Sequence, residues 1–176
     1  MRVAVTGTPG VGKTTATERL DVPVVHLNDA VREHDLTTGH DEERDSRVVD
    51  LDAAAEFVAD RECDLLDGTD GDTLVVESHL AHRLAVDRVV VLRCRPDLLE
   101  ERLQDRGESE ASARENRESE ALDVVLGEAV ERHGADAVYE VDATDHDPSE
   151  TAAVIRAVID GDREPSAGTV DFVEYV

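Results

Sequence analysis

The sequence is poor in lysine, cysteine and aromatic side chains. Its 176 residues contain two cysteines, two phenylalanines, two tyrosines and no tryptophan. Lys13 is the only lysine, so the other 17 of the 18 Lys and Arg residues are arginines. Cys63 and Cys94 show neither CxxC nor metal-ligand spacing, which argues against a zinc-ribbon or thiol-redox motif. We expect both cysteines to be reduced and buried as small apolar side chains.

Three further absences limit the partners and the location of the protein. The sequence has no 18-residue apolar run and no signal peptide, so we expect a cytoplasmic protein that does not insert into a membrane. It also has no basic run, and its formal net charge is −25. Direct nucleic-acid binding is therefore not expected, because DNA and RNA are polyanions.

The charge that is present is mostly negative. The 43 Asp and Glu residues are spread along the whole chain with apolar segments between them, which favours a folded protein over an acidic tail. A uniformly acidic, lysine-poor surface indicates adaptation to high salt. At molar ionic strength the Debye length is about 3 Å, so this self-repulsion is screened, whereas at low salt it should destabilise the compact state.

The apolar segments alternate between strand-like and helix-like patterns. The length is that of one domain, and we predict that residues 1–176 form it. Apolar strands separated by helices predict an α/β fold with a five-stranded parallel sheet flanked by helices. The predicted strands are 2–6, 23–27, 73–77, 88–93 and 137–143. The predicted helices are 13–20, 28–34, 51–63, 96–106, a long helix from about 116 to 133, and 148–161.

Two polar segments interrupt this alternation. Residues 35–50 are aperiodic and are predicted to be a loop, and residues 107–115 are rich in Ser and Glu. In open α/β sheets, such excursions beside the carboxyl ends of strands flank ligand sites. The chain ends in a tail, residues 162–176, that contains Gly and Pro and has a short apolar end.

The single lysine lies in the segment GTPGVGKTT, from Gly7 to Thr15, and this segment indicates a role for it. The segment lies between a predicted strand and a predicted helix and matches G-x-x-x-x-G-K-[ST], the phosphate-binding P-loop of P-loop NTPases. Glycines let the loop curl with its N–H groups towards phosphate oxygens. Lys13 is a compact charge on a flexible stem, and Thr14 offers a hydroxyl to Mg²⁺. The alternative is a surface lysine on a glycine-rich turn. It would leave unexplained why this one position is lysine when every other Lys or Arg position is arginine.

Other features indicate which class of P-loop protein this is. Guanine-specific switch proteins use an N-K-x-D motif that needs a second lysine, and no LSGGQ-like transporter signature is present. The small size and the two polar segments favour a nucleotide or metabolite kinase. Asp29 and Arg32 share a helix face after the second strand. Arg32 would clamp a monophosphate there, or it is a solvated helix arginine.

Candidate catalytic groups follow the third and fourth strands. Glu77 ends a strand beside the P-loop and would hold Mg²⁺ directly or through water. His79 is predicted to position water or phosphate, with a structural histidine as the alternative for it and for His82. Arg102 and Arg106 lie four residues apart on one helix. They would close over ATP and neutralise charge on the transferred phosphoryl group, unless they only pair with nearby acids.

The motifs together resemble a known family. NDAVR is similar to the D-x-x-R element of nucleoside monophosphate kinases. Together with VTGTPGVGKTT, LNDAVRE, VVESHLAHRL, ERLQDRG and ENRESEALDVVLGEA, it makes the chain resemble, from Met1 to about Ala129, the adenylate kinase isoenzyme 6 family of small archaeal and eukaryotic kinases. Two features depart from ordinary adenylate kinases. The arginine of the D-G-x-P-R motif, which follows the third strand in those enzymes, is missing here, and whether Arg83 replaces it is left open. Glu108 occupies the position at which their lid has an aromatic residue.

The resemblance implies an activity and a set of binding residues. Residues near 28–51 would form the monophosphate-binding region, and residues near 106–116 would form the lid, with Arg106 on ATP. The other ATP-binding residues would be Gly10, Gly12, Lys13, Thr14 and Thr15. Family members transfer phosphate from Mg·ATP to monophosphates such as AMP and hydrolyse ATP. They also act in small ribosomal subunit maturation through a ribosomal protein of the uS11 type. An ATPase assembly factor and a small-metabolite kinase remain as alternatives.

Overall fold

The structure is a computed structural model, and it describes residues 1–41, 46–67 and 72–176. Within these ranges the strands are β1 Arg2–Thr6, β2 Val24–His26, β3 Thr37–Asp41, β4 Ser46–Val49, β5 Leu74–Glu77, β6 Arg88–Arg93 and β7 Val138–Asp142. The α-helices are α1 Lys13–Thr17, α2 Leu27–Glu33, α3 Leu51–Leu66, α4 Pro96–Asp105, α5 Glu110–Ala121, α6 Val124–His133 and α7 Pro148–Asp160. Short 3₁₀ helices lie at Ala81–Arg83, Ala135–Ala137 and Val173–Tyr175. Among the described residues, no helix is both long and apolar enough to cross a membrane.

Five of these strands form a parallel sheet in the order β2-β5-β1-β6-β7. β1 lies at its centre, where Val3 is opposite Val75 of β5 on one side and Arg88 of β6 on the other. The predicted α/β fold with a five-stranded parallel sheet flanked by helices is confirmed. Because all five strands run in the same direction, their carboxyl ends lie along one edge, where open α/β sheets place ligands.

Helices cover both faces of the sheet, which is why its strands are almost continuously apolar rather than alternating. Successive residues of β1 point to opposite faces. Val3 and Val5 belong to one apolar cluster, which packs against α4 and α7. Ala4 belongs to the other cluster, which packs against α3 and α6. The central strand is therefore buried on both sides and holds the segment that follows it in a fixed place.

The predicted loop at residues 35–50 is wrong in part. β3 and β4 form an antiparallel hairpin in which Thr37 is opposite Val49, with an irregular register between Thr37 and Gly39. Residues 42–45 of the predicted loop lie outside the described residues. The strands are largely polar, so no apolar alternation marks them in the sequence.

The predicted long helix ending near His133 is also wrong. It is two helices, α5 and α6, which meet at Leu122 and Asp123. Asp123 has a left-handed backbone conformation with φ of 55°, which ends α5. Its carboxylate accepts a hydrogen bond from Arg93 Nη2 at 2.5 Å, a contact that no local pattern reveals. α5 begins at Glu110, inside the polar segment 107–115.

The two cysteines differ in solvent exposure. Cys94 is buried as predicted, and this burial raises the pKa of its thiol to about 11. The prediction for Cys63 is wrong, because this residue lies on the exposed side of α3. Both thiols are free.

Candidate active site

The P-loop connects β1 to α1 at the carboxyl edge of the sheet. Gly7 and Gly10 in this loop have φ angles of 136° and 94°. A Cβ atom on Gly7 would lie 2.3 Å from the Leu92 carbonyl oxygen, and one on Gly10 would lie 2.8 Å from the Leu99 side chain. These two positions require glycine, because the loop curls back against β6 and α4.

Lys13 begins α1, and its side chain is buried inside this loop. Its Nζ donates hydrogen bonds to the carbonyl oxygens of Gly7 and Thr8, at 2.8 and 3.0 Å. Burial lowers the pKa of the Lys13 ammonium to about 8, although the charges of Glu77 and Glu120 act in the opposite direction. The ammonium is thus a poorly hydrated cation, which an anion beside it would stabilise.

A cleft of about 270 Å³ opens beside this ammonium. The structure here brings together groups from the P-loop, the end of β5, the start of α2 and the end of α4. The lining residues are Pro9, Gly10, Gly12, Lys13, Thr14, Thr15, Asn28, Glu77, His79 and Arg106. All but Pro9 and Asn28 are candidates from the sequence. Asn28 is not a named candidate but begins the segment 28–51 that the resemblance assigns to monophosphate binding, just after β2 at the same sheet edge.

Thr14 and Glu77 bring two side-chain oxygen atoms together in the cleft. Thr14 Oγ1 donates a hydrogen bond to Glu77 Oε2 at 3.2 Å, and His26 Nδ1 lies 2.9 Å from the same oxygen. Hydroxyl and carboxylate oxygens fit Mg²⁺, which takes one or two protein ligands and fills its shell with water and phosphate oxygens. Among the described residues there is no cluster of three or more His, Cys, Asp or Glu suited to a metal ion.

His79 brings a neutral imidazole to the cleft. Burial lowers the pKa of His79 to about 4, and the positive charge of Lys13 acts in the same direction. A neutral imidazole has one donor and one acceptor nitrogen and adds no charge next to Lys13. This arrangement is chemically suited to positioning a water molecule or a phosphate oxygen.

His82 and Arg83 do not line the phosphate cleft, and both contact Glu128 of α6. The Nδ1 atom of His82 lies 2.9 Å from Thr6 Oγ1, and its Nε2 lies 3.1 Å from Glu128 Oε2. Arg83 donates to both carboxylate oxygens of Glu128, at 3.0 and 3.1 Å. His82 therefore serves as a buried connector between β1 and α6. Arg83 is already held by a carboxylate, which weakens it as a replacement for the missing D-G-x-P-R arginine.

A second cleft of about 190 Å³ continues from the first. It shares Gly10, Gly12, Thr15 and Arg106 with the phosphate cleft. Its other lining residues are Val11, Arg102, Ala143, His146, Pro148 and Thr151. The Nη1 atom of Arg102 lies 3.3 Å from the Sγ atom of Cys94. The two arginines predicted to close over ATP therefore both border this second cleft, and Arg106 borders the first as well.

Asp29 and Arg32 lie on one face of α2, as predicted, but away from both clefts. Their side chains form an ion pair with each other and are 55% and 69% exposed, respectively. Asn28, at the first turn of the same helix, does line the phosphate cleft and accepts a hydrogen bond from Ser78 Oγ at 2.8 Å. A movement of this segment would be needed to bring Arg32 to a ligand in the cleft.

Comparison with known proteins shows the family of the chain. A family model described as "AAA domain" matches residues 3–123. A protein of Natronomonas pharaonis named "Putative adenylate kinase" is 57% identical over the full length of both chains. One of the same name from Methanocaldococcus jannaschii is 36% identical over 99% of this chain and 94% of its own. The chain belongs to the archaeal "Putative adenylate kinase" family.

This membership confirms the resemblance seen in the motifs. A solved structure supports the fold of this adenylate kinase family member independently. The shikimate kinase of Bacteroides thetaiotaomicron matches with a TM-score of 0.54 and 15% identity, over 91% of this chain and 97% of its own. At this identity the likeness concerns the fold alone.

The lowered pKa of Lys13 predicts how triphosphate binding depends on pH. The protonated ammonium attracts phosphate, so affinity should be highest below a pH of about 8 and should fall as the pH rises through this value. Calorimetric titration with a non-hydrolysable ATP analogue, from about pH 7 to about pH 9.5, would measure the change. The matched control is Lys13→Arg, whose guanidinium stays charged, so its weaker binding should not vary with pH. Constant affinity of the natural protein up to about pH 9.5 would contradict the lowered pKa.

Proposed function

We propose that the protein is a Mg²⁺-dependent nucleoside monophosphate kinase that converts ATP and AMP to two ADP. The observation that carries the proposal is the buried Lys13 ammonium, held by glycine-loop carbonyls at the wall of a cleft that also contains Glu77 and Arg106. The full-length match to relatives named "Putative adenylate kinase" supports ATP and AMP as the substrates. Little covalent chemistry is required, because phosphoryl transfer depends mainly on alignment and charge neutralisation.

One ATP molecule would occupy both clefts. They share Gly10, Gly12 and Thr15, so the triphosphate can lie in the first cleft while the nucleoside lies in the second. Lys13 would exchange its two carbonyl partners for β- and γ-phosphate oxygens. Arg106, at the junction of the clefts, would neutralise the charge on the transferred phosphoryl group, with Arg102 beside it.

Thr14 and Glu77 would hold the Mg²⁺ that accompanies ATP. When bound, the metal neutralises phosphate charge and orients the phosphate oxygens. Glu77 is only 4% exposed, and the ring of His26 lies against its carboxylate, so its orientation is set by the fold before any ligand arrives. His79 adds a neutral imidazole on the same side of the cleft.

The acceptor would bind on the α2 side of the cleft. Within a single P-loop kinase domain of residues 1–176, we assign residues 28–51 to monophosphate binding and residues 106–116 to the lid. Arg32 would release Asp29 and pair with the acceptor phosphate when the 28–51 segment closes, with Asp29 as its partner in the open form. Closure of the two segments would exclude water, which competes with AMP for the phosphoryl group.

A second candidate function rests on the surface charge. A net charge of −25 favours a strongly basic partner, and its attraction would weaken with salt. The resemblance to the adenylate kinase isoenzyme 6 family makes a small-subunit ribosomal protein of the uS11 type the partner to test. In that case ATP hydrolysis, with water as the acceptor, would drive release of the ribosomal protein.

A coupled assay in molar KCl separates these functions. ADP formation is measured with ATP alone, with ATP plus AMP, and with ATP plus each other monophosphate. We expect turnover that depends on AMP, because an aligned acceptor outcompetes water. AMP-independent turnover that changes when the ribosomal protein is added would favour the assembly factor instead.

The assay needs two variants to exclude a contaminating kinase. Lys13→Ala should abolish both phosphotransfer and ATP hydrolysis, because it removes the cation at the triphosphate. Arg156→Ala is the control, because Arg156 lies on α7 outside both clefts and pairs with the exposed Asp21. Near-normal turnover of Lys13→Ala would contradict both functions.

Arg32→Ala tests the acceptor side. We expect the KM for AMP to rise about 10-fold or more, because a charge-assisted hydrogen bond to phosphate is lost. Hydrolysis of ATP in the absence of AMP should stay unchanged, since Arg32 lies outside both clefts in the structure. An equal fall in both activities, or an unchanged KM for AMP, would show that Arg32 is not an acceptor residue.

A further inference from the structure

The phosphate-binding loop is held from behind by one buried carboxylate. Glu120 lies in the last turn of α5 and is 2% exposed. Its Oε2 atom accepts a hydrogen bond from the hydroxyl of Thr8, the second residue of the P-loop. Its Oε1 atom accepts from Arg93 Nε at 2.8 Å and from the Cys94 backbone N–H at 3.1 Å. One side chain therefore joins α5, the end of β6 and the P-loop.

Arg93 holds this carboxylate in a fixed position. Its guanidinium is buried, and it donates to Glu140 Oε1 and Asp123 Oδ1, each at 2.5 Å. It also donates to the Glu120 carbonyl oxygen at 3.0 Å and lies 5.3 Å from the ring centroid of Phe172. Buried charges are tolerated when each polar atom has a partner, and a complete network of this kind fixes the geometry of its members.

Thr8 connects this network to the cation of the active site. The hydroxyl of Thr8 donates to Glu120, while its carbonyl oxygen accepts from Lys13 Nζ at 3.0 Å. The negative charge of Glu120 also favours the protonated form of Lys13. The side chain of Thr8 is itself buried, at 1% exposed. The residue that holds Lys13 is thus itself held by Glu120.

We propose that Glu120 is a positioning residue for ATP binding, which acts through the hydroxyl of Thr8 to hold the P-loop in its phosphate-ready conformation. This inference rests on the proposed function. Glu120 does not border the phosphate cleft and acts only through Thr8 and the loop backbone. Without the Thr8–Glu120 hydrogen bond, the loop must be ordered when ATP binds, and the cost of ordering reduces the affinity.

The test compares variants of Thr8, which alter the contact between the network and the P-loop, with a variant of Asp123, which alters the network at Arg93. Thr8→Val removes only the hydroxyl, and we expect the Kd for Mg·ATP to rise about 10-fold or more, as for loss of a hydrogen bond to a charged group. Thr8→Ser keeps the hydroxyl and should restore the Kd to within about twofold. Asp123→Asn is the matched control, because it removes the negative charge of another partner of Arg93 without touching the loop. It should lower Tm while leaving the Kd within about twofold.

The measurements are calorimetric Kd values and Tm in molar KCl, with Thr8→Ala as a second variant if Thr8→Val does not fold. Normal ATP affinity of the Thr8 variants would overturn the inference. The inference also fails if Asp123→Asn weakens ATP binding as much as Thr8→Val at an equal loss of Tm, because the network would then be merely structural. If the natural protein itself does not bind ATP, the proposed function fails, which is a separate result.

Discussion

The buried ammonium of Lys13 is the interaction on which the rest of the structure depends. An ionised group removed from water is costly unless it has partners, and here the partners are two backbone carbonyls and the nearby charges of Glu77 and Glu120. The loop can supply these carbonyls only because Gly7 and Gly10 allow it to curl against β6 and α4. A lysine fits this narrow space as a point charge, which accounts for its survival in a chain that otherwise uses arginine.

The parallel sheet gives this cation its surroundings. β1 delivers the P-loop, β5 delivers Glu77 and β2 delivers His26, all at the same carboxyl edge. The register of β2 against β5 sets the contact between His26 and Glu77, because these two residues are opposite each other. Behind the loop, the network of Glu120 and Arg93 fixes its other side. The ligand-facing groups are thus positioned by secondary structure and by buried ion pairs rather than by exposed loops alone.

Much of this arrangement is predictable from the sequence, because the signals are local and strong. The apolar strands and the P-loop glycines predict the sheet and the phosphate cleft, and strand ends predict Glu77. The features that sequence reasoning missed depend on contacts between distant residues. Asp123 breaks a helical pattern because Arg93 binds it, and Glu120 looks like a surface acid until the fold buries it. The polar hairpin of β3 and β4 lacks the apolar alternation on which strand prediction relies.

The most direct test of the central claim uses the single lysine of the chain. Selective labelling of lysine side-chain nitrogen gives one NMR signal, that of Lys13. We expect this signal to titrate with a pKa of about 8 in the free protein. Mg·ATP should shift the signal and raise the pKa, because phosphate stabilises the cation. A pKa near the ordinary 10.5, with a signal that does not respond to Mg·ATP, would contradict the central claim.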